Sequence, residues 1–333
     1  MSARPEGLAP PPTSSQSSPQ SSSASPSSPP SPALSPSLRS AGEDPAARLR
    51  LAVDARRPLP LPATLPASLP GTPHDREAEA TPPDTAPVQP RLSVQGLSLD
   101  YRVGPRSIRA THRVDFDVMP GERFVLLGAS GCGKSSLLKA VGGFLSPSEG
   151  RVLLDGQAVH GPGPDRMAVF QEFDQLPPWK TVLDNVAFPL TASRKLDKTR
   201  AREQARQWLE RVGLAAFATA YPHQLSGGMK QRVAIARALA LSPRMLLMDE
   251  PFAALDALTR RRMQEELLAL WDQERFTLLF VTHSIEEALH VGHRILVLSP
   301  HPGRVRAEFN AQGLDAVQRQ ALGQRIEALL FES

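Results

Sequence analysis

Apolar residues in this 333-residue chain gather in short runs that begin only after residue 90. The run Phe124–Leu127 leads into the glycine-rich stretch "GASGCGKSS", and helical spacing follows over Lys134–Val141. Two further runs, Arg244–Met248 and Phe276–His283, also end in polar residues. Short apolar runs between turn signals are typical of buried strands, and their alternation with helices favours a parallel sheet. The pattern therefore predicts an α/β domain.

The first 90 residues have a different composition from the rest. They hold 21 of the 34 prolines and the tract "SSQSSPQSSSASPSSPPSP", and they contain no lysine. Such a segment cannot bury enough apolar surface to offset the entropy lost on ordering. We therefore predict a disordered leader over residues 1–90 and a folded domain from Arg91. The acidic residues and dense prolines of the leader argue against an organelle transit peptide.

Charge, cysteine content and hydropathy limit the function classes. The leader carries 7 Arg and 8 acidic residues, so the net charge of +4 rests on the folded part. This mild surplus suits a protein near anionic lipid or nucleotide, or an ordinary solvated surface, but not the concentrated basic face of a nucleic-acid binder. The single Cys132 excludes an internal disulfide and fits a reducing compartment. No segment approaches the roughly 18–20 apolar residues that cross a bilayer, so we expect a soluble chain.

The glycine-rich stretch matches the phosphate-binding pattern G-x-x-x-x-G-K-[ST]. Backbone N–H groups of such a turn, and the positive end of the helix after it, bind phosphate oxygens. Lys134 is expected to reach the β- and γ-phosphates of ATP, and the Ser135 hydroxyl to bind Mg²⁺. A plain glycine-rich helix cap is the alternative, which the strand before it disfavours. The predicted phosphate-binding residues are Gly128, Ala129, Ser130, Gly131, Cys132, Gly133, Lys134, Ser135 and Ser136. The Cys132 thiol either lies near bound ATP or is a small filler.

Polar residues at the ends of the other two apolar runs supply candidate catalytic groups. Asp249 and Glu250 follow Arg244–Met248, and His283 ends "FTLLFVTH". Because carboxyl ends of parallel strands meet at one sheet edge, Asp249 is expected beside the phosphate turn as a Mg²⁺ ligand. Glu250 is placed to orient a water for attack on the γ-phosphate, and His283 to hydrogen-bond that phosphate or water. Each of these residues alone would more often be structural.

The stretch "YPHQLSGGMKQRVAIARALAL" resembles the signature sequence of ABC transporter ATP-binding subunits. Ser226 could cap the helix that follows and, with the N–H groups of Gly227 and Gly228, offer a second phosphate site. Alternatively, this segment is only a flexible cap. The predicted signature residues are Leu225, Ser226, Gly227, Gly228 and Met229.

Four more positions match that family in order. Gln171 falls at the Q-loop, which in relatives contacts Mg²⁺ and links the nucleotide site to the permease, and Asp256 falls at the D-loop. His283 matches the switch histidine, and Tyr101 falls where an aromatic ring stacks on adenine, although an edge-strand tyrosine fits equally. Within the family, "FQEFDQLPPWKTVLDNVAFPL" and "LSPHPGRV" most resemble the nitrate, aliphatic sulfonate and taurine import group.

The resemblance implies an α/β P-loop NTPase (RecA-like) core with a mostly parallel sheet, an antiparallel β-subdomain and an α-helical signature subdomain. The ATPase domain would span residues 91–315, with the helical subdomain near 172–225 and a C-terminal helix over 316–333. The spacing of Ala205, Trp208, Leu209 and Val212 predicts one amphipathic helix there.

The same resemblance implies partners. Two copies would enclose ATP head to tail on the cytoplasmic face of the membrane, beside permease subunits and, indirectly, a solute-binding protein. No nucleic-acid partner is expected. The alternative is a soluble ABC ATPase acting on nucleic acid or ribosomes. A short helical insert and one copy of each motif disfavour it.

Overall fold

The computed structural model describes residues 89–170 and 175–331. Residues 1–88 of the predicted leader and Gln171 therefore lie outside the described residues. The strands are β1 (Leu92–Val103), β2 (Arg106–Val118), β3 (Arg123–Gly128), β4 (Glu149–Leu154), β5 (Gln157–Ala158), β6 (Arg166–Val169), β7 (Met245–Asp249), β8 (Thr277–Thr282), β9 (Arg294–Leu298) and β10 (Val305–Asn310). The helices are α1 (Lys134–Val141), α2 (Val182–Ala192), α3 (Lys198–Arg211), α4 (Gly227–Leu239), α5 (Ala257–Glu274), α6 (Ile285–Val291) and α7 (Ala316–Phe331).

The larger sheet has the strand order β10-β9-β3-β8-β7-β6. All neighbours are parallel except the edge pair β9 and β10. Its central strands are apolar and buried on both faces, as expected for a parallel sheet covered by helices. Leu127 pairs with Thr282, and Asp249 pairs with Val281. The carboxyl ends of β3, β7 and β8 therefore meet at one edge, and the predicted mostly parallel α/β core is confirmed.

A second sheet, ordered β2-β1-β4-β5, is antiparallel throughout. Its apolar face packs against β3 and α1 in one buried cluster. Phe116 of β2 stacks on Phe124 of β3 with ring centroids 5.2 Å apart. The predicted antiparallel β-subdomain is confirmed, and it holds the strand and helix on either side of the phosphate turn.

Helices α2, α3 and α4 pack on one another. Thr181 and Asp197 cap the N-termini of α2 and α3 by accepting hydrogen bonds from backbone N–H groups. Helix α3 buries Ala205, Trp208 and Leu209 as predicted, because these residues lie on one face of a 3.6-residue repeat. Val212 follows the end of α3 and is half-buried. The predicted helical signature subdomain is therefore present.

Helix α5 lies beside α4 and α6, and α6 lies between β3, β8 and α7. Ile326 of α7 is fully buried in the larger core cluster, so this helix is packed on the domain. Within residues 89–170 and 175–331, no helix combines the length and apolar character required to span a membrane.

Candidate functional site

The phosphate turn connects β3 to α1 at the carboxyl edge of the larger sheet. Gly133 precedes α1 with φ of 94°, a left-handed conformation that favours glycine. A Cβ atom there would lie 2.5 Å from Thr111 Cγ2, so the second sheet also excludes a side chain. Since Gly133 has no side chain to cap α1, the first N–H groups of that helix are left for a ligand.

Lys134 is the buried cation of this turn. Its side chain is 4% exposed, and its Nζ atom donates hydrogen bonds to the carbonyl oxygens of Gly128 at 2.8 Å and Ala129 at 3.0 Å. The same atom lies 3.8 Å from Glu250 Oε1. The ammonium group is therefore held inside the turn, where phosphate oxygens can compete with carbonyl oxygens for its protons.

Ser135 and Asp249 meet across the sheet edge. The Ser135 hydroxyl donates a hydrogen bond of 2.9 Å to Asp249 Oδ1, although the residues are 114 positions apart. Burial raises the pKa of Asp249 above its ordinary value, and the Ser135 hydrogen bond partly opposes this. A hydroxyl and a desolvated carboxylate are the hard oxygen donors that Mg²⁺ prefers, so this pair fits a magnesium ion.

Glu250 and His283 form a second pair at the same edge. Glu250 has φ of 44°, so the chain turns sharply after β7 and its carboxylate points back toward Lys134. His283 Nδ1 lies 2.9 Å from Glu250 Oε2. A carboxylate accepts hydrogen bonds, so this contact suits the histidine tautomer that carries its proton on Nδ1 and has Nε2 as the second ring nitrogen for a ligand. The histidine side chain is 53% exposed and the glutamate 19%, so this pair faces an open mouth.

Tyr101 lies at the end of β1 and its hydroxyl donates a 2.9 Å hydrogen bond to Ser136 Oγ in the first turn of α1. Its ring is part-exposed. The structure therefore brings this tyrosine beside the phosphate turn, at the position from which a ring could contact a base.

The signature segment begins α4, a different helix from α1, which follows the phosphate turn. Ser226 caps α4 and accepts a hydrogen bond of 3.4 Å from the Met229 N–H. A Cβ atom at Gly228 would lie 3.2 Å from Thr259 Cγ2. The signature segment therefore packs closely against α5, which follows Asp256 and is called the D-loop helix below. Asp256 caps that helix and accepts a 3.0 Å hydrogen bond from the Thr259 N–H, which holds the pKa of Asp256 below its usual range.

Cys132 lies in the turn with its thiol directed away from the mouth. The residue is 0% exposed, and a Cβ atom at Gly128 would lie 2.7 Å from its Sγ atom. Of the two alternatives drawn from the sequence, the small filler fits. Cys132 can then contribute to phosphate binding only through its backbone N–H.

We expect thiol–disulfide exchange at Cys132 to be slow in the native protein, with or without ATP. Burial raises the pKa of the thiol, so little thiolate forms, and reagent has no access to Sγ. The measurement is thiol release with an aromatic disulfide reagent, with urea-unfolded protein as the fast control. Rapid labelling that ATP suppresses would contradict the buried position.

The loop between β9 and β10 supports the turn and was not singled out as part of the site from the sequence. A Cβ atom at Gly303 would lie 2.0 Å from the Cys132 carbonyl oxygen, so only glycine fits. His112 N–H donates to Gly303 O at 2.9 Å, which ties the loop to β2. A Cβ atom at Gly131 would lie 3.0 Å from His301 Cε1. "PHPG" carried no catalytic residue pattern, so only its family likeness could have pointed to it.

The described residues thus gather a glycine-rich phosphate turn, a buried lysine, a serine–carboxylate pair and a glutamate–histidine pair at one sheet edge. With the parallel core around them, these groups define a P-loop nucleotide-hydrolysing domain. A model of the ABC transporter family matches residues 111–253. The chain belongs to the ABC transporter family as an ATP-binding ATPase subunit, and the family predicted from the signature is confirmed.

Relatives and solved structures agree with this assignment. The chain is 55% identical to the taurine import ATP-binding protein of Rhizobium johnstonii over 217 residues, which cover 65% of this chain and 80% of that protein. It is 48% identical to the nitrate import ATP-binding protein of Synechococcus elongatus over 200 residues, covering 60% and 73% respectively. A solved dimeric ATP-binding cassette, in a post-hydrolysis state bound to ADP and Pi, is 33% identical with a TM-score of 0.59. That match covers 67% of this chain and 100% of the cassette.

Proposed function

We propose that this chain, on the cytoplasmic face of the membrane, drives the uptake of a small solute with an anionic group, such as nitrate, a sulfonate or taurine, through a separate permease. The observation that carries the ATPase part is the cluster of Lys134, Ser135, Asp249, Glu250 and His283 at one sheet edge. The names of the taurine and nitrate import relatives support the substrate class. Those names do not favour the alternative, an ATPase acting on nucleic acid or ribosomes.

In this proposal, backbone N–H groups of the turn and Lys134 hold the β- and γ-phosphates of ATP. Glu250 accepts a hydrogen bond from the attacking water, and His283 orients the Glu250 carboxylate through the 2.9 Å contact. Ser135 and Asp249, with Gln171 outside the described residues, would hold Mg²⁺. The ion would supply positive charge beside the phosphate oxygens. Tyr101 contacts the adenine.

A second copy of the chain completes each site. The signature residues lie at the start of α4, where Gly228 packs against Thr259 instead of the phosphate turn of the same chain. The N-terminus of α4 is a second helix end suited to an anion. We propose that it binds the nucleotide held by the phosphate turn of the partner copy. The dimeric form of the solved cassette supports this head-to-tail pairing. Asp256, at the start of α5, would then lie at the dimer interface.

The permease is proposed to dock on the helical subdomain formed by α2, α3 and α4. Trp179 is 75% exposed and Phe188 of α2 is also exposed, with Lys180 Nζ 4.8 Å from the Phe188 ring centroid. These residues follow the Q-loop position, which relatives use to link nucleotide and permease. Exposed aromatic groups beside a cation are common anchors of protein interfaces.

Reconstituted transport tests the proposed function. The chain would be purified with its permease subunits, placed in proteoliposomes with ATP and Mg²⁺, and supplied with its solute-binding protein and, in separate assays, labelled taurine, nitrate or an alkanesulfonate. We expect ATP-dependent accumulation of at least one of these three solutes. A Glu250→Gln complex is the matched control and should not accumulate solute. ATP hydrolysis without uptake of any of these three solutes would contradict the substrate class.

Asp249→Asn is expected to separate stability from magnesium binding. The folded pKa of Asp249 is raised, so the unfolded chain loses this proton first, and stability falls as pH rises through the folded pKa. At neutral pH the substitution removes a costly buried charge and keeps the acceptor for Ser135. We expect an unchanged or higher melting temperature without nucleotide, but ATP turnover about 10²-fold lower. A large drop in melting temperature would contradict the pKa direction.

A further inference from the structure

Glu287 carries a buried carboxylate that the proposed hydrolysis does not use. It lies on α6, four residues after His283, and is 6% exposed. Gln264 Nε2 donates a hydrogen bond of 2.9 Å to its Oε1 atom, and the Thr282 hydroxyl donates a short one to Oε2. Both donors are buried as well. A buried carboxylate is costly unless hydrogen-bonded, so this network constrains the three side chains together.

The network encloses the turn that carries His283. Thr282 is the last residue of β8, and its hydroxyl oxygen accepts a hydrogen bond of 3.0 Å from the Ser284 N–H. The Ser284 hydroxyl in turn accepts a hydrogen bond of 3.3 Å from the Glu287 N–H. The residues on both sides of His283 are thus tied to Glu287, while the His283 side chain itself is exposed and contacts Glu250.

The third member of the network lies on α5. Helix α5 begins directly after Asp256, and Gln264 lies about two turns into it, at 3.6 residues per turn. The only buried acceptor that the described residues show for Gln264 Nε2 is Glu287. A rotation or shift of α5 that moved Gln264 would therefore be transmitted through the Glu287 carboxylate to the turn that carries His283.

We propose that Glu287 is a positioning residue for His283, and that Gln264 couples the D-loop helix to the histidine through it. This inference rests on the proposed role of His283 in hydrolysis. The hydrogen bonds of Glu287 go to Gln264, Thr282 and Ser284, not to Glu250 or the phosphate turn. Glu287 instead fixes the backbone from which His283 contacts Glu250. Loss of the hydrogen bonds among Gln264, Thr282 and Glu287 would leave the ATP-binding residues in place but displace the His283 side chain. A small displacement of such a group lowers the rate of catalysis strongly.

The test compares Thr282→Val with Thr282→Ser, and Glu287→Gln with Glu286→Gln. Valine keeps the shape of Thr282 and removes its donor, whereas serine keeps the donor. Glutamine at 287 cannot accept from both donors, whereas Glu286 is exposed and outside the network. We expect kcat for ATP to fall roughly 10–100-fold in Thr282→Val and Glu287→Gln, with KM within about twofold. Thr282→Ser and Glu286→Gln should match the wild type.

A double-mutant cycle separates positioning from a general loss of structure. In a His283→Ala background, Glu287→Gln should lower kcat by less than about twofold further, because the residue it positions is already gone. Full additivity, or a normal kcat in folded Glu287→Gln, would overturn the inference alone. A normal kcat in His283→Ala itself would overturn the role of His283 and this inference together. If Glu287→Gln does not fold, Gln264→Met carries the same comparison, with the same expected loss and the same contradicting result.

Discussion

Glu250→Gln is expected to lower the rate of ATP hydrolysis by about 10²–10⁴-fold while ATP binding persists. The amide keeps the size of the side chain and a contact to His283, but it cannot take a proton from an attacking water. Lys134 loses a carboxylate at 3.8 Å, which favours a phosphate group on the ammonium instead. Because two copies are proposed to enclose ATP between them, a variant that binds ATP without cleaving it should accumulate as an ATP-bound dimer.

Phosphate release under saturating ATP and Mg²⁺ measures the loss, and sedimentation in the same buffer measures the dimer. Glu286→Gln is the matched control, since it makes the same chemical change at an exposed residue of the neighbouring helix. Hydrolysis by Glu250→Gln at the wild-type rate would remove Glu250 from its proposed role as the base.

Lys134→Ala is expected to weaken ATP binding itself by about 10–100-fold, since a hydrogen bond to a charged group contributes about 1.5–3 kcal/mol. The lysine is buried, and its protons are now shared between two carbonyl oxygens of the turn. Alanine removes the cation and leaves those carbonyl dipoles facing the phosphates, so both changes oppose binding. Turnover should fall with affinity.

Equilibrium binding of a fluorescent ATP analogue measures this effect. Lys139→Ala is the control, because Lys139 lies in the last turn of the same helix and is exposed. Unchanged affinity in Lys134→Ala would contradict the assignment of the phosphate turn. Equal weakening in both variants would assign the effect to net charge instead of position.

Local sequence was sufficient for the phosphate turn, the strand ends and the Ser226 cap. Gly133 needs a left-handed backbone, and Lys134 starts α1 as its pattern predicts. Asp249 and Ser135 meet because parallel strands share an edge, a topological rule that needs no coordinates. These features follow from chain spacing and from the handedness of the backbone.

Other features depend on contacts between distant segments and could not be read from spacing. Whether Cys132 faces the mouth or the core is decided by how tightly the turn folds against Gly128 and Gly303. The Gln264–Glu287 bond joins residues 23 positions apart on two helices, and nothing in either helix pattern marks it. Side-chain direction and cross-element polar pairing are set by packing, which the sequence pattern does not encode.

The proposed mechanism requires two copies of the chain to share each nucleotide, with the phosphate turn of one copy facing the signature residues of the other. Mixing two inactive variants, Lys134→Ala and Gly227→Asp, tests this most directly, with ATPase activity as the measurement. If the sites are shared, the mixture should regain up to about a quarter of wild-type activity. Random pairing of equal amounts makes half of the dimers contain one copy of each variant, and each such dimer keeps one of its two sites intact. A mixture no more active than either variant alone would contradict the shared site.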